Sequence, residues 1–341
     1  MTKCAERNPA FDMMKGIAIL LMVWEHCTIH PWSMEHALIY SFHMPLFFIL
    51  GGYFAKDVHS FDGFWTTTKK NARRLLLPYI VTFLLLIVWG FIQSVIKHDW
   101  NLVTRYVITL FWFSGDAWTA KSGLITAGPT WFLIALFWLR EIFYCVQVIT
   151  RKYVRKYVDF VILVICVVLS ICARYIYPLL EPLPLGILPG IGGLIFYAIG
   201  WIVSKYHIPW YIIAICIISW PISLFYGKIE LMDCLFTFPL DIFGACGATY
   251  FIYICCNALC RFNSKYSWLS NSPIFLKWCG LYSLPILCMH TFETHSGLLW
   301  SFKCRMPFEV TLDMMVGARI IAAVLFAYIV INLPFLKKIY R

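Results

Sequence analysis

The sequence predicts an all-α, polytopic membrane helix bundle of about ten transmembrane helices with both termini in the cytoplasm. Three observations predict it. Of 341 residues, 61% are apolar and only 13% charged, against ~45–50% and ~25% for a soluble domain. Apolar runs recur at about 11–28, 37–55, 75–96, 129–149, 158–177, 186–204, 208–226, 238–260, 275–299 and 316–335, each near the ~20 residues that cross a hydrocarbon core. With the N-terminus placed inside, seventeen Lys and Arg fall in inner segments and seven in outer ones. That bias is the positive-inside pattern, and an even number of spans agrees with it.

The same features exclude other classes. The formal charge of +11 sits in short loops between apolar runs and is not clustered with aromatics, so no nucleic-acid partner is expected. The first apolar run is long, edged by charge and followed by no small-residue cleavage site, so it is a span and not a removed signal. Residues 1–341 form a single integral membrane domain, with no appended soluble one. Most of the fourteen cysteines lie inside spans and no CxxC occurs. They read as small core residues, not as disulfides or metal ligands, and no metal is expected.

The first span, FDMMKGIAILLMVWEH, carries Asp12 and Lys15 at one end and Glu25 and His26 at the other. Lys15 and His26 are eleven residues apart, which is about three turns, puts both within ~20° of one face and separates them by about 16 Å. An extended phosphopantetheine arm has a comparable length. The stripe therefore suits an acyl-CoA held by its charged end with its thioester at depth. Taken alone, it suits equally well a lysine that snorkels and a histidine that closes the outer end. Asp12 orients Lys15 through an i,i+3 contact. Glu25 projects about 100° away from His26 and need not be its partner.

The second span opens SFHMPLFFILGGYF. Pro45 is tolerated in a first turn, and Gly51-Gly52 permits close helix approach. A short outer loop joins spans one and two, so His43 and His26 sit at similar depth. The third span follows a basic run ending RRLLLPY, with Arg73 and Arg74 at the cytoplasmic mouth; each is accounted for equally by topology. The connection Ser114–Pro129 is rich in Gly, Ser, Thr and Ala and reads as an outer loop or a re-entrant piece. The fourth span starts at GPTWFLIALF with Trp131 and holds Arg140 and Glu141, which read as functional charges or as a structural interhelical pair. Asp241 and Arg319 read as polar groups of the bundle interior. In the ninth span, GLYSLPILCMH ends on His290, with Glu293 a turn beyond as a weaker candidate to hold an imidazole or a sugar.

This ordered set resembles the acyltransferase-3 family, integral membrane enzymes that move acyl groups from acyl-CoA to sugars and glycans. KGIAILLMVWEH matches that family's basic residue, ten intervening residues and His; FHMPLFFILGGYF, RRLLLPY, GPTWFLIALF and GLYSLPILCMH match its later motifs in order. Departures are Lys15 where Arg is commoner, Gly51-Gly52 for Ser-Gly, and Leu287-Cys288-Met289 where an aromatic commonly precedes the His. Arg and Lys differ at a bidentate phosphate site, so donor binding is what the first departure touches.

The resemblance implies an O-acetyltransferase of the cytoplasmic membrane of a bacterium, modifying a polysaccharide of the cell envelope. It implies His26 as base or acyl-carrying nucleophile, and His43 and His290 to orient the acceptor or stabilise an oxyanion. Lys15, Arg73 and Arg74 would bind the donor, with Asp12, Glu25, Trp131 and Glu293 in support. The partners implied are acetyl-CoA or another acyl-CoA, a carbohydrate acceptor (a glycan or lipid-linked sugar) and the bilayer. The rival class is a secondary transporter of a small anionic or sugar substrate, for which paired interrupted helices and repeat symmetry are missing.

Overall fold

The computed structural model describes residues 8–26, 33–98, 100–112, 125–180, 184–265, 271–297 and 311–340. Most of the Ser114–Pro129 connection lies outside the described residues, as do the last residues assigned to the first and ninth spans. The described chain is helical, and its one β feature is an isolated bridge between Glu230 and Leu235. The helices are α1 (Pro9–Glu25), α2 (Met34–Tyr40), α3 (His43–Tyr53), α4 (Phe61–Asn71), α5 (Leu77–Lys97), α6 (Asn101–Phe111), α7 (Trp131–Tyr153) and α8 (Val158–Ile176). Then follow α9 (Ile187–Gly192), α10 (Leu194–Val203), α11 (Trp210–Tyr226), α12 (Leu240–Lys265), α13 (Asn271–Leu281), α14 (Ser283–Ser296), α15 (Leu312–Asn332) and α16 (Pro334–Ile339). Among the described residues, five helical stretches are long and apolar enough to cross a membrane: Phe61–Ile96, Gly128–Tyr153, Val158–Ile176, Leu240–Arg261 and Asp313–Asn332. Ile187–Val203 and Trp210–Tyr226 are shorter apolar helices.

Helix α1 starts where the sequence dictates. The Asn8 side chain accepts from the Ala10 N–H and Pro9 occupies the first turn, a capped start that needs no donor from proline. It is buried by α13, α12, α3, α14 and α15, and Ala10, Met13, Met14, Ala18, Met22 and Val23 pack into the bundle. Its backbone meets that of α13 almost without side chains between. A Cβ on Gly16 would stand 2.0 Å from the Leu276 carbonyl oxygen, and one on Gly280 would stand 1.6 Å from that of Asp12. Glycine at both positions lets the two helices touch, as small residues do in membrane interfaces.

The α3–α10 seam repeats the device. A Cβ on Gly52 would lie 1.9 Å from the Tyr197 carbonyl oxygen, and one on Gly200 would lie 2.0 Å from that of Ile49. Helix α3 begins at His43, has Pro45 in its first turn and buries Leu46, Phe48, Ile49 and Leu50. The sequence places both features there, the proline at the start and the glycine at the contact.

The C-terminal ends of α3, α7 and α10 meet the start of α8 in an ionic cluster. Arg151 approaches Asp57 at 3.1 Å and Asp159 at 3.6 Å, and Lys205 lies 2.9 Å from each of the same carboxylates. The Trp201 indole N–H donates to Asp57 at 3.0 Å. Burial pushes the Asp57 carboxyl up, but the hydrogen bonds of Lys205 and Trp201 and the charges of Lys205 and Arg151 outweigh it and hold the group below its ordinary value. Four elements are therefore pinned at the end the charge bias assigns to the cytoplasm.

Adding a methyl at the α3–α10 seam tests this packing. Gly52→Ala should destabilise the protein by about 1–3 kcal/mol, read as a lower melting temperature in detergent. Gly317→Ala, where a Cβ meets nothing within 4 Å, should leave melting unchanged or raise it.

Candidate active site

A cavity of about 1440 Å³ runs through the bundle, with walls from α1, α2, α3, α4, α7 and α10 and from the turn at Leu231–Asp233. Lys15, Ile19, Met22 and His26 line it along α1, so the stripe read from the sequence faces one internal space. Asp12 and Glu25 line it as well. Asp12, almost fully buried, pairs with Lys15 at 2.8 Å, the i,i+3 contact expected.

At the far end the His26 Nδ1–H donates to the Met22 carbonyl oxygen at 2.7 Å. A carbonyl can only accept, so the neutral ring carries its lone pair on Nε2. Glu25 also reaches His26, Oε2 to Nδ1 at 3.5 Å, which corrects the expectation that it points elsewhere. His26 is the cap of α1 and still helical in its backbone, so the contact is made by the reach of two adjacent side chains and not by a shared face. The other Glu25 oxygen takes a 2.8 Å hydrogen bond from His36 Nδ1. His36 stacks on Tyr40 at 4.0 Å, and Tyr40 meets His43 at 4.9 Å. His43 Nδ1–H donates to Ile39 at 2.9 Å, again leaving Nε2 as the acceptor. His36, Tyr40 and His43 all line the cavity.

His290 is placed differently. It is fully buried and stands behind His26, ring centroids 5.5 Å apart and edge to face, not on the cavity wall. Its Nδ1 lies 3.7 Å from Glu293 Oε2, and Arg319 Nε lies 3.5 Å from the same oxygen. Arg319 also donates to the His26 carbonyl oxygen at 2.8 Å. Arg319, read from the sequence as a bundle-interior group, thus braces the end of α1. Trp131 is buried on the wall, as GPTWFLIALF suggested. Gly128 just before it has φ +55° and sits where a Cβ would be 2.4 Å from the His295 ring. His295 bridges the carbonyl oxygens of Thr291 at 2.9 Å and Thr126 at 3.0 Å, tying this segment to α14.

The basic end differs from the expected pair. Arg74 lines the cavity together with Lys70 and Asn71, whereas Arg73 does not, and both arginines are exposed. Both lie in a π-helical turn over Ala72–Leu76, and as consecutive helical residues they project in different directions. The Arg140–Glu141 pair also divides. Glu141 is buried and accepts from Asn71 Nδ2 at 2.9 Å and from the Thr68 hydroxyl, which binds α7 to α4. Arg140 turns to the cavity, with Nη1 donating to Asn71 Oδ1 at 3.3 Å. Asp241, by contrast, accepts from the backbone N–H of Lys228 at 2.9 Å and of Thr237 at 2.6 Å and is structural. Two carboxylates missed in the sequence, Glu230 and Asp233, also line the cavity. Asp233 accepts from the Tyr177 hydroxyl at 2.7 Å.

His36, Arg319, Lys70 and Arg140 could be found in the sequence only as ionisable groups near or within apolar runs. Which of them share a wall depends on helix rotation. The described cysteines are all free, and no metal-holding cluster of His, Cys, Asp or Glu occurs among the described residues.

The family model described as an acyltransferase domain matches residues 8–333 of the chain. Nodulation protein NolL of Sinorhizobium fredii is 29% identical over 191 residues, covering 50% of this chain and 46% of that protein. The match thus spans about half of that relative's length. No solved structure matches the chain.

Replacing Glu141 by Ala would strand buried donors on Asn71 and Thr68. It should cost about 1–3 kcal/mol, seen as a lower melting temperature in detergent, and Glu141→Gln should recover part of the loss.

Proposed function

Because this chain belongs to the acyltransferase-3 family, we propose that it is a membrane-embedded O-acyltransferase. It moves an acyl group, in the simplest case acetyl, from acyl-CoA to a sugar hydroxyl of a surface glycan or its lipid-linked precursor. The observation that carries this reading is the single cavity with a cation at one end of α1 and an imidazole about 16 Å along the same stripe. A transported solute would not need that separation, whereas a donor with phosphates at one end and a thioester at the other does.

On this reading His26 is the general base. Its Nε2 accepts the acceptor hydroxyl proton as the oxygen attacks the thioester carbonyl. The tetrahedral intermediate then collapses, expels the thiolate, and the proton leaves with it as the thiol. Glu25 beside Nδ1 favours the imidazolium formed in between. His43, across the same end of the cavity, orients the acceptor. His290 with Glu293 and Arg319 acts from behind, holding the His26 ring and the helix end. Lys15, Lys70 and Arg74 receive the donor's phosphates, and Asp12 keeps Lys15 extended toward them.

The acceptor enters at the opposite end, where Trp131, Glu230 and Asp233 offer the aromatic face and carboxylates that suit a sugar. The chain is a single domain of ten spans with both termini cytoplasmic, in the inner membrane of a bacterium. The ionic cluster of Asp57, Arg151, Asp159 and Lys205 then lies on the inner face.

His26→Ala should abolish acetyl transfer from labelled acetyl-CoA, by about 100-fold or more, while membrane insertion and gel-filtration profile stay as in the wild type. Retained transfer would remove His26 from the chemistry. Lys15→Ala should raise the KM for acetyl-CoA by about tenfold with a smaller effect on kcat, measured by titrating the donor.

A further inference from the structure

We propose that Arg140 is the anchor for the diphosphate of the acyl donor, an assignment that rests on the acyl-CoA reading above. Three observations carry it. Arg140 lines the cavity with its Nη1 held by an amide, while its Nε is shielded from the cavity and has no hydrogen-bond partner among the described residues, so the Nη groups are what it presents. Its neighbour Glu141 does not neutralise it directly. Asn71 stands between them, giving its amide N–H to Glu141 Oε1 at 2.9 Å and accepting from Arg140 Nη1 at 3.3 Å on its carbonyl oxygen. The amide works as a spacer that orients the guanidinium while keeping the carboxylate off it. The Nη groups so presented offer charge-assisted donors to a phosphate's oxygens.

Depth supports the same ligand. Phe11 packs on Tyr53 at 5.1 Å, and Lys15 is one turn, about 6 Å, further along α1. Gly51, half a turn back from Tyr53, lies against the Tyr197 ring, and Arg140 lies beside the Tyr197 hydroxyl. Lys15 and Arg140 therefore face each other across the cavity at nearly one level. From Arg140 to Trp131 is about 14 Å along α7, and from Lys15 to His26 about 16 Å along α1. Both walls thus set a cation one pantetheine arm away from the histidine end. Lys70 and Arg74, further along the same wall, are left for the nucleotide's remaining phosphate.

The test compares two donors on full-length protein in detergent: acetyl-CoA, and acetyl-pantetheine, which has the thioester but no diphosphate. Arg140→Met should lower kcat/KM for acetyl-CoA relative to that for acetyl-pantetheine by about tenfold to a hundredfold, mainly through KM, with Arg140→Lys recovering part of the preference. An equal loss on both donors, or none, overturns the assignment and leaves acyl transfer standing. A wild-type protein that uses neither donor overturns the acyl-CoA reading and this proposal with it. Should the variants not fold, the wild type is treated with phenylglyoxal and Arg140 labelling is read by peptide mass spectrometry. Adenosine 3′,5′-bisphosphate and CoA at equal concentration should then differ, CoA protecting Arg140 and the bisphosphate, which lacks the diphosphate, protecting it less. Equal protection, or none by CoA, rejects the proposal.

Discussion

Backbone contact between α1 and α13 is the constraint on which the rest of the site depends. Gly16 and Gly280 leave no room for a methyl between the helices, so α1 can sit at only one depth and one rotation against its neighbour. That rotation turns Lys15, Met22 and His26 onto the cavity and leaves Met13, Met14 and Ala18 in the packed interior. Within a bilayer apolar side chains gain little by leaving lipid, so close packing and polar satisfaction decide such contacts. A bulky residue at either glycine would shift both ends of the stripe together.

The polar groups inside the bundle follow from the cost of leaving them unpaired. At the histidine end, two imidazoles each give Nδ1–H to the carbonyl four residues earlier, His26 to Met22 and His43 to Ile39. The helix itself thus sets the tautomer and presents Nε2 outward. Glu25 is shared between His26 and His36, and Glu293 between His290 and Arg319. The result is a cavity lined by Glu25 and imidazoles around the end of α1 and by Lys15 with its partner Asp12, Lys70, Arg74 and Arg140 elsewhere on its wall. Such a division suits a long substrate with unlike ends better than a compact solute.

Not every buried charge serves that cavity. Glu141 joins α7 to α4 through Asn71 and Thr68, Asp241 holds the turns around Lys228 and Thr237, and Asp57 gathers four helix ends. Each has its hydrogen bonds met by backbone or by a neighbouring helix, which is the mark of a structural role. Arg140 differs because its partners are neutral, the Asn71 amide and the Tyr197 hydroxyl.

The sequence by itself determined the all-helical class, the family through its ordered motifs, and the common face of Lys15 and His26, because hydropathy and the 3.6-residue period are local properties of a chain. The same locality located Pro45 in the first turn of α3 and a close contact at Gly52. Tertiary structure alone decided what meets across helices. It brought His36 and Glu25 to His26, set His290 behind the ring and off the wall, and placed Arg319 at the end of α1. It also put Arg74 and not Arg73 on the cavity wall, and it gave Arg140 and Glu141 separate roles. The reason is geometric: a residue's azimuth past a helix end or an irregular turn, and the identity of the facing helix, depend on contacts between residues far apart in the chain, which no local period encodes.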